Sequence, residues 1–254
     1  SDGAHDVEHP AIALVGISDA HRLRGVDLAV QPGEIVGVTG THDSGVRQLI
    51  EILAGARRPS DGSVMRNGQH VDFHSEEDAE GHGVSFMADS LSGELAERRL
   101  IEGLGGENLE LDAEIVRARR MISLVRELRI NTADINTVVG RLSGGDQQKA
   151  EFIRTIERGG DVLVLAHPTQ GVDIGARRAV FTFLHRLASQ GAAVIFLSTD
   201  MTELLQWCHR IAVITNGEVA LHAAANDLNE DALVEAMLGQ PAAESSGRRA
   251  TRAS

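Results

Sequence analysis

Two apolar rhythms alternate along this chain: short unbroken runs, and segments in which apolar residues recur every three or four positions. Ala11–Ile17 and Val26–Val30 predict two short strands ahead of Pro32-Gly33. Glu34–Gly40 (EIVGVTG) predicts a buried strand that runs into a loop, and from Gly45 to Gly55 the spacing of Val46, Leu49, Ile50 and Leu53 predicts a helix. Gly83–Met87 reads as a further strand, and residues 110–130 as a helix with Ile115, Met121, Ile122, Val125 and Leu128 on one side. Val162–Ala166 is a wholly apolar strand, Ala176–Ser189 an amphipathic helix, Ala193–Ser198 another apolar strand, and a helix follows from about Met201. Arg210–Thr215 and Glu218–Leu221 flank Asn216-Gly217 and read as two strands joined by a tight turn. Apolar strands that alternate with helices predict an α/β fold whose mainly parallel sheet is covered on both faces. Residues 1–10 read as a linker or arm, residues 11–240 as the folded domain, and residues 241–254 as a disordered tail.

Composition narrows this picture. A length of 254 residues with 42% hydrophobic content supports one large domain or two small ones with a sizeable core. The net charge of −13 argues against a general nucleic-acid surface. The single cysteine, Cys208, excludes an internal disulfide framework and suits a reducing compartment. No apolar run approaches the ~20 residues of a membrane helix, and no signal peptide is visible, so a membrane role has to work through a partner. The chain opens on Ser1 rather than Met, as a cut or processed chain would.

The candidate chemistry lies in two stretches. The first is Leu142-Ser143-Gly144-Gly145-Asp146-Gln147-Gln148-Lys149, at the start of a helical pattern that runs to Arg158. A hydroxyl and two glycines at a helix N-terminus leave backbone N–H groups open to an anion. Taken alone, Ser-Gly-Gly reads equally well as a turn and an N-cap; the full string is far more specific. The second stretch is Gly40-Thr41-His42-Asp43-Ser44-Gly45 between strand and helix. A phosphate loop of form G-x-x-x-x-G-K-[ST] needs that context, and both glycines are present. Val46 stands at the Lys position, Arg47 at the Ser/Thr position, and Asp43 adds a carboxylate inside the loop. A plain packing turn between strand and helix is the alternative for this segment alone.

The LSGGDQQK string resembles the signature motif of ABC-type ATPases. That resemblance covers about residues 11–240 and implies the P-loop NTPase fold, with an antiparallel β portion near the N-terminus and a helical subdomain at about residues 88–145. In the family, the signature contacts the γ-phosphate of ATP held by the opposite subunit of a head-to-tail dimer. Active members end an apolar strand in Asp-Glu-Pro-Thr, where the Asp organises Mg²⁺ and the Glu polarises water. This chain reads Val162-Leu163-Val164-Leu165-Ala166-His167-Pro168-Thr169. His167 is therefore the one candidate for a catalytic base, with local hydrogen bonding as the alternative. A metal site from His42 and His167 lacks a third ligand. Gln170-Gly171-Val172-Asp173 matches the family's D-loop, whose acidic residue reaches across to the partner; read by itself, Asp173 is a helix N-cap. Thr199 stands at the switch-His position, no Gln lies between Gln69 and Gln147 to serve as a Q-loop, and the chain has no Tyr to stack on adenine.

The resemblance thus implies loss of what acts on a nucleotide in cis and retention of what acts in trans. Gly40, Gly45, Arg47, Ser143, Gly144, Gly145, Gln147 and Asp173 are the expected nucleotide-contacting residues, with ATP shared with a partner domain and Mg²⁺ only at the partner's site. Glu34-Ile35-Val36-Gly37, Pro168–Ala176 and Ser198–Leu205 further resemble the second ATPase half of bacterial importers for simple sugars such as ribose, galactose and xylose, or of related nucleoside importers. Expected partners are a homologous ATPase domain, a membrane permease and, indirectly, a sugar-binding protein, which would place the chain on the cytoplasmic face of the cell membrane. The resemblance implies permease contact near residues 75–105, where Leu91-Ser92-Gly93-Glu94 and Arg98-Arg99 lie; solvation of a surface loop explains these residues equally well. An autonomous ATPase using Arg47 and His167, and a nucleotide-independent interaction module, are the alternatives.

Overall fold

The computed structural model describes residues 9–88, 96–104 and 111–239. The arm up to residue 8, Leu91-Ser92-Gly93-Glu94 and the tail from residue 240 lie outside the described residues.

Among the described residues, ten strands form two sheets. An antiparallel sheet of four has the order β2-β1-β4-β5, built from β1 (Ile12–Ser18), β2 (Val26–Val30), β4 (Asp61–Arg66) and β5 (Gln69–Val71). A sheet of six has the order β10-β9-β3-β8-β7-β6, built from β3 (Ile35–Gly40), β6 (Val84–Met87), β7 (Val162–Ala166), β8 (Ala193–Leu197), β9 (Arg210–Thr215) and β10 (Glu218–Ala224). In the larger sheet β6, β7, β8, β3 and β9 run parallel, and only β10 is antiparallel to its neighbour. The expected hairpin is there, with Asn216 at φ 54° and Gly217 at φ 85° in the turn.

The unbroken apolar runs are explained by burial on two faces. In β7, Leu163 and Leu165 enter one core cluster, while Val162, Val164 and Ala166 enter the other. In β8, Val194 and Phe196 alternate in the same way with Ala193, Ile195 and Leu197. Strands dressed on both faces need apolar residues at every position. The first face is covered by α3 (Leu111–Glu127), α4 (Gly144–Glu157), α5 (Ile174–Ser189) and the short α6 (Met201–Trp207). Phe181 of α5 packs edge-on against Phe196, with ring centroids 5.2 Å apart. The second face is covered by α1 (Val46–Leu53) and the antiparallel sheet. Two further short helices add to the two cores: α2 (Glu76–Gly81) through Ala79 on the second face, and α7 (Glu230–Met237) through Leu233 and Ala236 on the first.

One sequence expectation needs correction. On α3 the buried stripe is Met121, Leu124 and Val125, continued by Leu128 just past its end, whereas Ile115 and Ile122 are 42% and 38% exposed. Ile122 is rotated by about 100° from Met121, and Ile115, two turns earlier, shares its side rather than the core's. Among the described residues, no helix is long and apolar enough to cross a membrane.

Candidate functional site

The glycine-led start of α4 is held by a compact polar cluster. Ser143 has extended backbone (φ −61°, ψ 156°) and caps the helix: its Oγ accepts from the Asp146 N–H at 3.3 Å and donates to Asp146 Oδ2 at 2.7 Å. Asp146 is buried, and its other oxygen accepts from the Asn131 N–H at 3.1 Å and from Lys149 Nζ at 2.6 Å. Lys149, also buried, donates in turn to the Arg129 carbonyl at 2.7 Å. Burial alone would raise the Asp146 carboxyl; hydrogen bonds from Lys149, Ser143 and the Asn131 N–H outweigh it and hold the group below the ordinary carboxylate value. The i,i+3 spacing of Asp146 and Lys149 puts both on the inner face of one helical turn.

The first N–H groups of α4 have no acceptor within the helix. A Cβ at Gly144 would meet nothing within 4 Å, so that approach is open. Gly145 is different: a Cβ there would come within 2.6 Å of the Gly171 carbonyl oxygen. Its missing side chain lets residues 170–173 pack directly on the helix start. Asp173 caps α5 by accepting from the Ala176 N–H at 3.0 Å, and it remains exposed. Between these elements lies a cavity of about 750 Å³ lined by Ser143, Gly144, Gly145, Gln147, Asp173 and Arg129, among others. Five expected site residues therefore meet in one place. Gln147 nevertheless turns its amide back onto its own loop, donating to the carbonyls of Gly140 at 3.2 Å and Leu142 at 3.0 Å.

The loop from Gly40 to Gly45 joins β3 to α1, and the charges around it are paired within the chain. Gly45 sits at φ 97° ahead of α1 with no side-chain cap, and a Cβ there would meet Leu23 Cδ2 at 2.7 Å. Val46 is buried in the core shared with the antiparallel sheet. Arg47 pairs along the helix surface with Glu51 at 3.1 Å. Arg22, from the β1–β2 connection, donates through Nη1 to both the carbonyl and the carboxylate of Asp43, each at 2.8 Å. These bonds, Arg22 first and His42 second, hold the Asp43 carboxyl below its ordinary value, so it stays charged. Each arginine at this loop thus faces a carboxylate of the same chain, and Asp43 adds negative charge where a phosphate would need the opposite. The residues present do not fit a metal-bound triphosphate here. Gly40, Gly45 and Arg47 do not line the cavity at the start of α4.

His167 follows β7 with φ 48°, a left-handed conformation uncommon for a residue with a Cβ. Its backbone is fixed on both sides: the N–H donates to Leu197 O at 2.9 Å, and the carbonyl accepts from Gln148 Nε2 at 2.9 Å and from the Gln170 N–H at 3.0 Å. A second cavity, of about 420 Å³, is lined by His167, Thr169, Thr199, Asp200 and Glu203 among others. Buried Glu203 accepts from Thr169 Oγ1 at 2.8 Å and Ser198 Oγ at 2.9 Å, while Arg177 bridges Asp200 and Glu203 at 3.3 Å each and donates to the Val172 carbonyl at 2.8 Å. This network ties residues 170–173 to the end of β8. No carboxylate occupies residue 166 or 167, and among the described residues no group of three His, Cys, Asp or Glu side chains converges on a metal site.

Asp146, Gln148 and Lys149 are structural parts of the site that the sequence pattern does not single out. Their side chains fix the helix start, and only the i,i+3 charge pair was a visible signal. Arg129 gave none, because it arrives from a turn after α3.

The profile of the ABC transporter family matches residues 23–170. The chain belongs to the ABC transporter family. Members of this family bind ATP with Mg²⁺. The chain is similar to the ribose import ATP-binding protein RbsA of Cereibacter sphaeroides, at 33% identity over 93% of this chain and 49% of the relative. It is similar also to the arabinose import ATP-binding protein AraG 2 of Burkholderia thailandensis, at 33% identity over 90% of this chain and 45% of the relative. It thus spans about half the length of these relatives. Among solved structures, a nucleotide-free ATP-binding cassette of an ABC transporter superposes with a TM-score of 0.72 at 17% identity, covering 91% of this chain and 96% of that one. The dimeric MJ0796 cassette bound to ADP and Pi superposes at 0.73 with 17% identity, covering 85% of this chain and 99% of that one. These likenesses establish the P-loop NTPase fold expected from the sequence.

Proposed function

We propose that residues 11–240 form the non-catalytic ATP-binding-cassette half of a bacterial importer for simple sugars, which lends its signature to an active partner half. One contrast carries this reading. The signature start of α4 and residues 170–173 are assembled around an open cavity, whereas the chain's own phosphate loop is engaged by Arg22 and lacks a cation free of a carboxylate. The partner half lies head to tail, so that its ATP faces this cavity. ATP then supplies a γ-phosphate with Mg²⁺ bound on the partner's side only. Ser143 turns its O–H from Asp146 to the phosphate, the N–H groups of Gly144 and Gly145 donate to the same anion, and Asp173 reaches the partner's loop. Gln147, whose amide serves Gly140 and Leu142, shapes the loop rather than contacting the nucleotide.

The printed names of the relatives, ribose and arabinose import proteins, support a simple sugar as cargo. A permease and, through it, a sugar-binding protein complete the assembly on the inner face of the membrane, and the net charge of −13 leaves nucleic acid out of the partner set. An autonomous ATPase built on Arg47 and His167 has less support, because Arg47 is engaged by Glu51. The experiment is Ser143→Arg in the assembled transporter. A bulky cation in the cap position abolishes ATP turnover; retention of full turnover would refute the proposal.

A further inference from the structure

The cavity beside the signature has a charge inventory that singles out one residue. Four of its lining residues are charged: Asp146, Lys149, Asp173 and Arg129. Asp146 and Lys149 neutralise each other at 2.6 Å and are buried. The Asp173 carboxylate faces the open side. Arg129 is exposed and, among the described residues, its guanidinium has no hydrogen-bond or ion-pair partner. It lies against the first turn of α5, where a Cβ at Gly175 would come within 2.7 Å of its Nη1 and 3.3 Å of Asp173 Oδ1. Its backbone, at φ 54°, turns the chain out of α3 towards this wall, and its carbonyl is held by Lys149.

We propose that Arg129 is a phosphate ligand of the trans site, the residue that brings positive charge to a triphosphate held by the partner half. The inference rests on the reading of the preceding subsection. The signature itself offers only neutral N–H and O–H donors. Without Arg129 the lining carries one uncompensated carboxylate, Asp173, towards a polyanion, and in a half-enclosed site that repulsion is felt at several ångströms. With Arg129 the lining is neutral, and its planar fork donates to phosphate oxygens in pairs. Arg129 lines both this cavity and a neighbouring one of about 530 Å³ that it shares with Gly175, so it stands where the two meet.

The test measures steady-state ATP turnover of the complete transporter in lipid as a function of MgATP, at low and high salt. Arg129→Asn removes the charge and suits the left-handed backbone. It is expected to raise KM for MgATP about tenfold, the loss of one charge-assisted hydrogen bond, and to reduce the dependence of KM on salt. Arg129→Lys retains most of the wild-type KM. Arg129→Gln, which keeps the aliphatic stem, gives the same readout should the Asn variant melt without cooperativity. Wild-type KM and salt dependence in folded charge-removing variants overturn the inference. Ser143→Arg, run in parallel, separates the two claims. If it abolishes turnover while Arg129→Asn behaves as wild type, only the role of Arg129 falls; if it leaves turnover intact, the trans-site reading itself falls.

Discussion

Arg22 and Asp43 close the chain's own phosphate loop from outside: a single guanidinium nitrogen donates to the Asp43 carbonyl and carboxylate, each at 2.8 Å. The carboxylate is largely exposed, so the pair contributes more to the local field than to stability. Removing the carboxylate is not enough to create a nucleotide site, because Val46 is still buried and Arg47 still faces Glu51. Asp43→Asn is therefore expected to show no saturable MgATP binding by calorimetry. Binding gained from this one change would mean that the carboxylate alone had blocked the loop.

The buried pair of Asp146 and Lys149 is the structural base of the signature. Truncating one partner leaves an uncompensated charge in the interior, a loss of about 3 kcal/mol. Lys149→Met should lower the urea midpoint accordingly, and Asp146→Asn combined with Lys149→Met should recover part of the loss. Equal midpoints for wild type and Lys149→Met would show that water reaches Asp146.

The same carboxylate sets an acid dependence. Its folded-state value lies below the ordinary 3.8, so its contribution to stability is fully present above that value and lost as pH falls through the lower one. The stability difference between wild type and Asp146→Asn should accordingly be constant near neutrality and shrink only in the acid range. Shrinkage that begins above pH 5 would assign the effect to another group.

Gly144 and Gly145 differ in what surrounds them. Gly144→Ala enters open space, while Gly145→Ala drives a methyl into the Gly171 carbonyl. Overpacking of this kind costs about 1–3 kcal/mol. Thermal midpoints should fall for Gly145→Ala and stay near wild type for Gly144→Ala. The reverse order would place the D-loop contact elsewhere.

How much could be read from sequence follows from where burial is written. β7 and β8 are buried on both faces and appear as VLVLA and AVIFL, which have no other simple reading. β4 is not legible, because DGSVMR buries only Val64 and Arg66, and the arginine is held by the carbonyls of His82 and Ala11 and by Asp161 rather than by apolar contacts. α2 escaped because its six residues bury only Ala79. In the site, Ser143, Gly144 and Gly145 were legible as a helix start that admits an anion. The direction of Gln147 was not, since two carbonyls of its own loop compete for its amide. Nor was the pairing of Arg22 with Asp43, because it joins segments distant in sequence.

In the proposed function, this half completes a partner's site without holding a nucleotide in its own. Titration of the isolated chain with MgATP, up to millimolar concentration and by calorimetry, tests it most directly. The isolated chain is expected to give no saturable heat. Saturable, Mg-dependent binding, lost in a Gly45→Val variant of the loop, would contradict it and return the Gly40–Gly45 loop to service as a working phosphate cradle.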